Sequence, residues 1–75
     1  MIGNQLSAAR ALLGWTQKQL AEAAGVSIPT IKRAEGAAKA TVSSDAQQKI
    51  KSTLQAAGVE FIPENGGGLG VRLVR

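Results

Sequence analysis

Between residues 27 and 33 the chain places Ser27, Ile28, Pro29, Thr30, Lys32 and Arg33 within a single short stretch. Arg33 ends in a planar fork of donors that matches paired acceptors. Lys32 ends in a compact point charge, and the two hydroxyls can both donate and accept. Ile28 and Pro29 bring apolar surface and no side-chain donor. This inventory can sort a partner by hydrogen-bond pattern, shape and negative charge. It cannot readily make or break bonds. The chain has neither histidine nor cysteine, and its five carboxylates are scattered along the sequence. Without paired acids, a thiolate or an imidazole, acid–base, nucleophilic and metal chemistry all lack their usual groups. Ser43 and Ser44 are better explained as helix caps than as nucleophiles. We therefore expect no enzyme activity, no cofactor and no metal.

The elements that must position these side chains can be read from residues 16 to 36, TQKQLAEAAGVSIPTIKRAEG. Thr16 can cap a helix while Gln19, three residues on, reaches back to close a capping box. Trp15 before the cap and Leu20 in the first turns can form the accompanying hydrophobic staple. The same grammar repeats at once. Ser27 caps, Val26 precedes it, Ile31 holds the position of Leu20, and Pro29 falls in the first turn, where proline is tolerated. Between the two helices stands Gly25, suited to the left-handed backbone that ends a helix within one residue. Ala21, four residues earlier, is small enough for a close crossing. Leu20, Ala24, Val26, Ile31 and Ala34 supply apolar residues where two crossed helices need them. An ordinary helical hairpin has no need of a cap, glycine turn and second cap in this register. The spacing predicts a helix-turn-helix, a unit that presents its second helix to the major groove of DNA.

On that reading helix two covers about Gln17 to Ala24 and helix three about Ile28 to Glu35. Side chains of the first turns of a helix lying in the groove reach base edges, and these are Ser27, Ile28, Pro29, Thr30, Lys32 and Arg33. The Arg33 fork matches guanine O6 and N7, while Ile28 and Pro29 suit a thymine methyl. Lys32 can reach a base or a phosphate. Lys18 and Lys39 are candidate phosphate contacts. Around this unit, helix one runs from about Asn4 to Leu13 with Leu6, Ala9 and Leu13 on one stripe, helped by Ile2 and Leu12. Helix four follows from Ser43 or Ser44 to Ala57, with a capping box expected between Ser44 and Gln47. Asp45 complements its dipole, and Ile50, Leu54 and Ala57 line its buried face.

The segment from Gln5 to Leu54 resembles the Cro and phage-repressor-like (XRE-type) helix-turn-helix regulators, through Arg10, the GWTQKQLAEAAGVS segment and the IKRAEG ending. The resemblance implies a four-helix, repressor-like DNA-binding domain. It further implies a structural ion pair between Arg10 and Glu35, and a phosphate contact by Gln17 at the start of helix two. The chain departs from the family where a fifth helix is usual. Val59 to Ile62 and Val71 to Val74 are β-favouring and alternate in polarity, with a turn-forming run from Pro63 to Gly70 between them. The glycine run in that turn lacks the Lys-Ser/Thr ending and following helix of a phosphate-binding loop. The fold class is thus mainly α: a helix-turn-helix domain over residues 1–58, and a short C-terminal β-hairpin over 59–75 belonging to the same domain.

One recognition helix reads only a few base pairs, so a homodimer spanning two half-sites is expected. Val59, Phe61, Ile62, Val71, Leu73 and Val74 exceed what a two-stranded hairpin hides alone, so they are expected to help build the dimer interface. The alternative is that the hairpin only caps the four-helix core of its own monomer. Seventy-five residues make one domain near the lower limit for a self-supporting core. The net charge of +4 suits a nucleic-acid partner, the more so if Glu35 is engaged internally by Arg10. No apolar run approaches the ~20 residues that span a bilayer, and no signal segment opens the chain. The expectation is a cytoplasmic, nucleoid-associated repressor with double-stranded DNA as partner and no small-molecule effector. The competing reading is an antitoxin or other module that uses the helix-turn-helix or tail to hold a protein.

Overall fold

A computed structural model describes residues 3–36, 42–62 and 70–74, with side chains from Gln5 onward. Four helices are followed by two strands: α1 (Gly3–Leu13), α2 (Gln17–Ala24), α3 (Ile28–Ala34), α4 (Ser44–Ala56), β1 (Val59–Ile62) and β2 (Gly70–Leu73). The helix starts obey local chemistry. Thr16 Oγ1 accepts the Gln19 N–H at 3.1 Å while Gln19 Oε1 accepts the Thr16 N–H at 2.8 Å, a complete capping box. Gly25 ends α2 in the left-handed conformation, φ 73°. Ser27 Oγ then accepts the Thr30 N–H, and α3 begins with Pro29 in its first turn.

Several boundaries shift by one residue from the sequence expectation: α4 ends at Ala56 with Ala57 as its C-cap, and β2 is Gly70–Leu73 rather than Val71–Val74. Two helix ends have a clear local cause. Helix α3 closes at Ala34, and Glu35 is its C-cap, with its N–H on the Ile31 carbonyl at 2.9 Å. The cap of α4 is Ser43, not Ser44: Ser43 Oγ accepts the Ala46 N–H at 3.1 Å. Ser44 is already inside the helix. With the register moved by one residue, the third helical position is Ala46, which has no acceptor, so the Ser44–Gln47 box does not form. The Gln47 amide donates instead to the Val42 carbonyl at 3.1 Å.

Leu6, Ala9, Leu20, Ala21, Ala24, Ile31, Ile50, Leu54 and Val59 make one continuous core, with Leu13, Trp15, Val26 and Ala34 packed against it. Every helix contributes, so burial of each large side chain, worth about 1.5–3 kcal/mol, ties neighbouring elements together. The strands pair antiparallel with Val59 opposite Leu73, Glu60 opposite Arg72, Phe61 opposite Val71 and Ile62 opposite Gly70. Glu60 and Arg72 form an ion pair on the outer face. Val59, Phe61, Val71 and Leu73 turn inward onto the helices, β2 against α1 and β1 against α4. Gln5 of α1 is buried and donates through Nε2 to the carbonyls of Ile62 and Gly70, at 3.3 and 3.1 Å. Because those two residues face each other across the ladder, one amide fastens both strands to α1. The expected turn between the strands lies outside the described residues except for Gly70, which belongs to β2.

Four of the hairpin's six apolar side chains serve its own monomer: Val59 is only 3% exposed in the core, and Phe61, Val71 and Leu73 cover that core. Ile62 is half-buried, and Val74 alone of the six is open, at 51%. Four helices this short leave apolar surface that the hairpin closes.

The joint between α4 and the hairpin is Gly58. Its φ is +105°, its carbonyl accepts the Val74 N–H at 2.6 Å, and a Cβ there would meet the Val74 oxygen at 3.1 Å. Gly25 has a similar left-handed backbone and open space around it. Gly58→Ala should therefore destabilise the protein by more than the ~1 kcal/mol expected of alanine at a positive φ, and by more than Gly25→Ala. Paired urea melts of the two variants measure the difference; equal losses would show that the Gly58–Val74 approach carries no energetic weight.

Candidate nucleic-acid interface

Helix α3 is held by one side and open on the other. Ile31 is fully buried and Ala34 packs against the core, whereas Ile28, Pro29, Lys32 and Arg33 are exposed. At 3.6 residues per turn these four share one stripe, since 28 and 32, and 29 and 33, lie one above the other. Thr30 sits on the flank, half-buried, its hydroxyl 2.8 Å from that of Ser27. Neither Lys32 nor Arg33 has an ion-pair partner among the described residues, and Lys18 on α2 has none either. A shallow groove lined by Thr30, Arg33, Val42, Ser43 and Ala46 runs from α3 to the start of α4. Lys39 lies outside the described residues.

Behind the stripe a single carboxylate gathers three helices. Glu35 Oε2 accepts from Arg10 Nε at 2.8 Å. Its Oε1 accepts from Arg10 Nη2 at 3.2 Å, Gln17 Nε2 at 3.0 Å and Ser7 Oγ at 3.2 Å. Arg10 Nη1 donates onward to the Trp15 carbonyl at 2.9 Å, which fixes the corner between α1 and α2. The Glu35 side chain is 7% exposed and that of Arg10 23%. Burial alone would raise the Glu35 pKa. Hydrogen bonds from Arg10, Gln17 and Ser7, with the Arg10 charge, outweigh it and hold the carboxyl below its ordinary value. The Glu35 hydrogen bond and charge, against a smaller effect of burial, raise Arg10 further above its already high value.

The consequence for the outer surface is a net positive charge. Glu35 is neutralised inside the fold, so Lys18, Lys32 and Arg33 face outward from α2 and α3 against Glu22 alone. Of the residues singled out in the sequence, α3 brings Ile28, Pro29, Lys32 and Arg33 onto one face, and Ser27 and Thr30 to its start. Gln17 is placed at the first position of α2 with its amide already turned to Glu35. Ser7 was not foreseen in this network. Its signal was its position three residues before Arg10, which puts both on one face of α1.

Residues 6–44 match the helix-turn-helix family model. The chain belongs to the Cro/repressor-like (XRE-type) helix-turn-helix family. The matched segment takes in most of α1, all of α2 and α3, and the first residue of α4. Membership makes this helix-turn-helix protein a DNA-binding transcriptional regulator in general terms. No curated protein matches the chain. Among the described residues, no helix is long and apolar enough to cross a membrane.

The helix-turn-helix angle should depend on the Arg10–Glu35 pair. Removing either partner strands a charge that is largely shielded from water, typically costing about 3–5 kcal/mol at deep burial, with the lower end apt here. Glu35→Ala and Arg10→Ala should each lower the melting temperature, and the double variant should lose less than their sum. Strict additivity in denaturant titrations would mean the pair is not coupled. The same pair sets a pH dependence. Because the folded Glu35 pKa is depressed, its contribution is complete above the unfolded value of about 4.3 and is lost as pH falls through the folded one. Glu35→Gln should flatten that acid limb.

Proposed function

We propose that this helix-turn-helix protein is a sequence-specific repressor that binds double-stranded DNA as a dimer, laying α3 in the major groove of each half-site. The observation that carries the reading is the division of α3. Ile31 is anchored in the core, while Ile28, Pro29, Lys32 and Arg33 form an outward stripe with no ion pair among the described residues. A helix fixed on one side and offering a fork, a cation and an apolar edge on the other is built to be read against base edges. Lys18 and Gln17 sit at the start of α2, where family resemblance gives Gln17 a phosphate, and Lys39 is proposed to add a second cationic contact beyond α3. Occupying an operator is enough to block transcription, so repression by occlusion needs only this surface.

Dimerisation belongs to the same proposal, because one α3 covers only a few base pairs. The hairpin contributes to it through its open strand edge and Val74, with Ile62 beside them. Val59, Phe61, Val71 and Leu73 are engaged by the monomer's own core. An unpaired edge of this kind favours pairing with a second copy.

Selection of bound duplexes from a random pool, followed by fluorescence anisotropy across a salt series, tests the reading. Affinity should fall steeply with salt, with a log–log slope of about −0.9 per phosphate neutralised. Lys18→Ala should weaken all sequences alike and reduce that slope by about one. Arg33→Ala should cost roughly tenfold or more on the best site and relax the preference at one base pair. Sedimentation should find two chains per full site. A flat salt response, or no binding to any duplex at low salt, would reject the proposal.

A further inference from the structure

The exposed stripe of α3 is chemically divided along its length. Ile28, 37% exposed, and Pro29 occupy the N-terminal turn, and Lys32 and Arg33 lie one turn on. The two hydroxyls at the start of the helix are committed to each other. Ser27 Oγ accepts the Thr30 N–H at 3.2 Å and lies 2.8 Å from Thr30 Oγ1. One proton is held between them, which leaves a single hydroxyl donor for any outside partner, and Thr30 is on the flank. The forward surface of the stripe is therefore apolar first and cationic second.

We infer that each half-site is recognised by a thymine methyl group and a guanine no more than about two base pairs apart, Ile28 and Pro29 packing on the methyl and Arg33 bridging guanine O6 and N7. This rests on the DNA-binding reading proposed above. In the major groove only thymine presents a C5-methyl group, and only guanine offers the paired acceptors that suit a guanidinium fork. Residues four apart on a helix are about 6 Å apart along its axis, and successive base pairs rise about 3.4 Å. Pro29 and Arg33 are thus under two base steps apart, and Ile28 and Arg33, five residues and about 7.5 Å apart, about two. Lys32 shares a row with Ile28 but has no fork, so it adds charge at that end without selecting a base.

Chemically modified operators test the assignment. In the tightest site recovered from a random pool, each thymine is replaced in turn by deoxyuridine, which removes only the methyl, and each guanine by 7-deazaguanine, which removes N7. Binding should weaken by about threefold to fourfold at one thymine per half-site, the loss expected for one buried methyl group. It should weaken by about tenfold at a guanine within two base pairs of it. The variant Ile28→Ser with Pro29→Ala should bind the thymine and uracil sites equally while keeping the 7-deazaguanine loss, and Arg33→Ala should show the reverse. All three positions are exposed, so Ile31 still anchors the helix, and a thermal melt of each variant checks this. Tight binding with no methyl-sensitive thymine, or with the sensitive thymine and guanine farther apart, would overturn this inference and leave the DNA-binding reading standing. Absence of duplex binding would overturn both.

Discussion

Glu35 stands at the end of α3, yet its carboxylate is hydrogen-bonded to Ser7 and Arg10 of α1 and to Gln17 of α2. With Arg10 also holding the Trp15 carbonyl, three helices and one corner converge on a single buried charge. A carboxylate with so little water around it is tolerable only when its lone pairs are satisfied and its charge is balanced. That requirement makes the arrangement all-or-none. The angle of α3 is set at its C-terminal end, by hydrogen bonds whose directions cannot drift far without stranding a charge.

The second constraint is the division of α3 into a held side and a free side. Seven residues are too few for a helix to be stable by itself. Ile31 in the core, Ser27 at the start and Glu35 at the end supply what the short length lacks. Because those anchors occupy one side, the outer stripe is free of packing duty, and Lys32 and Arg33 have no ion-pair partner among the described residues. Removal of Glu35 from the surface balance leaves the face of α2 and α3 cationic. Stability and the proposed recognition thus draw on different residues of one short helix.

The hairpin illustrates how a small domain finishes its core. Alternation in VEFI and VRLV correctly predicts an antiparallel pair with Glu60 and Arg72 outside, although β2 begins one residue earlier, at Gly70. It says nothing about which apolar surface the inner face meets. The helices leave an opening between α1 and α4, and Val59, Phe61, Val71 and Leu73 fill it, secured by the Gln5 amide and by Gly58. A surface that suggests a partner in the sequence is covered within the monomer.

Local chemistry is why the helix-turn-helix was legible in advance. Caps, a left-handed glycine and apolar spacing act over three or four residues, so Thr16, Gln19, Gly25, Ser27 and Pro29 state their roles without reference to distant parts of the chain. The same locality identifies α3 and the residues on its outer stripe. The cap of α4 was misplaced by one residue because two adjacent serines offer the same hydroxyl, and the helix register, which packing of Ile50 and Leu54 selects, decides between them. Gln17 joining Glu35, Gln5 bridging two strands, and the choice between an inward and an outward hairpin face were decided only by the tertiary structure. Each depends on groups 18 to 65 residues apart meeting in space, and such distances are set only when the core closes.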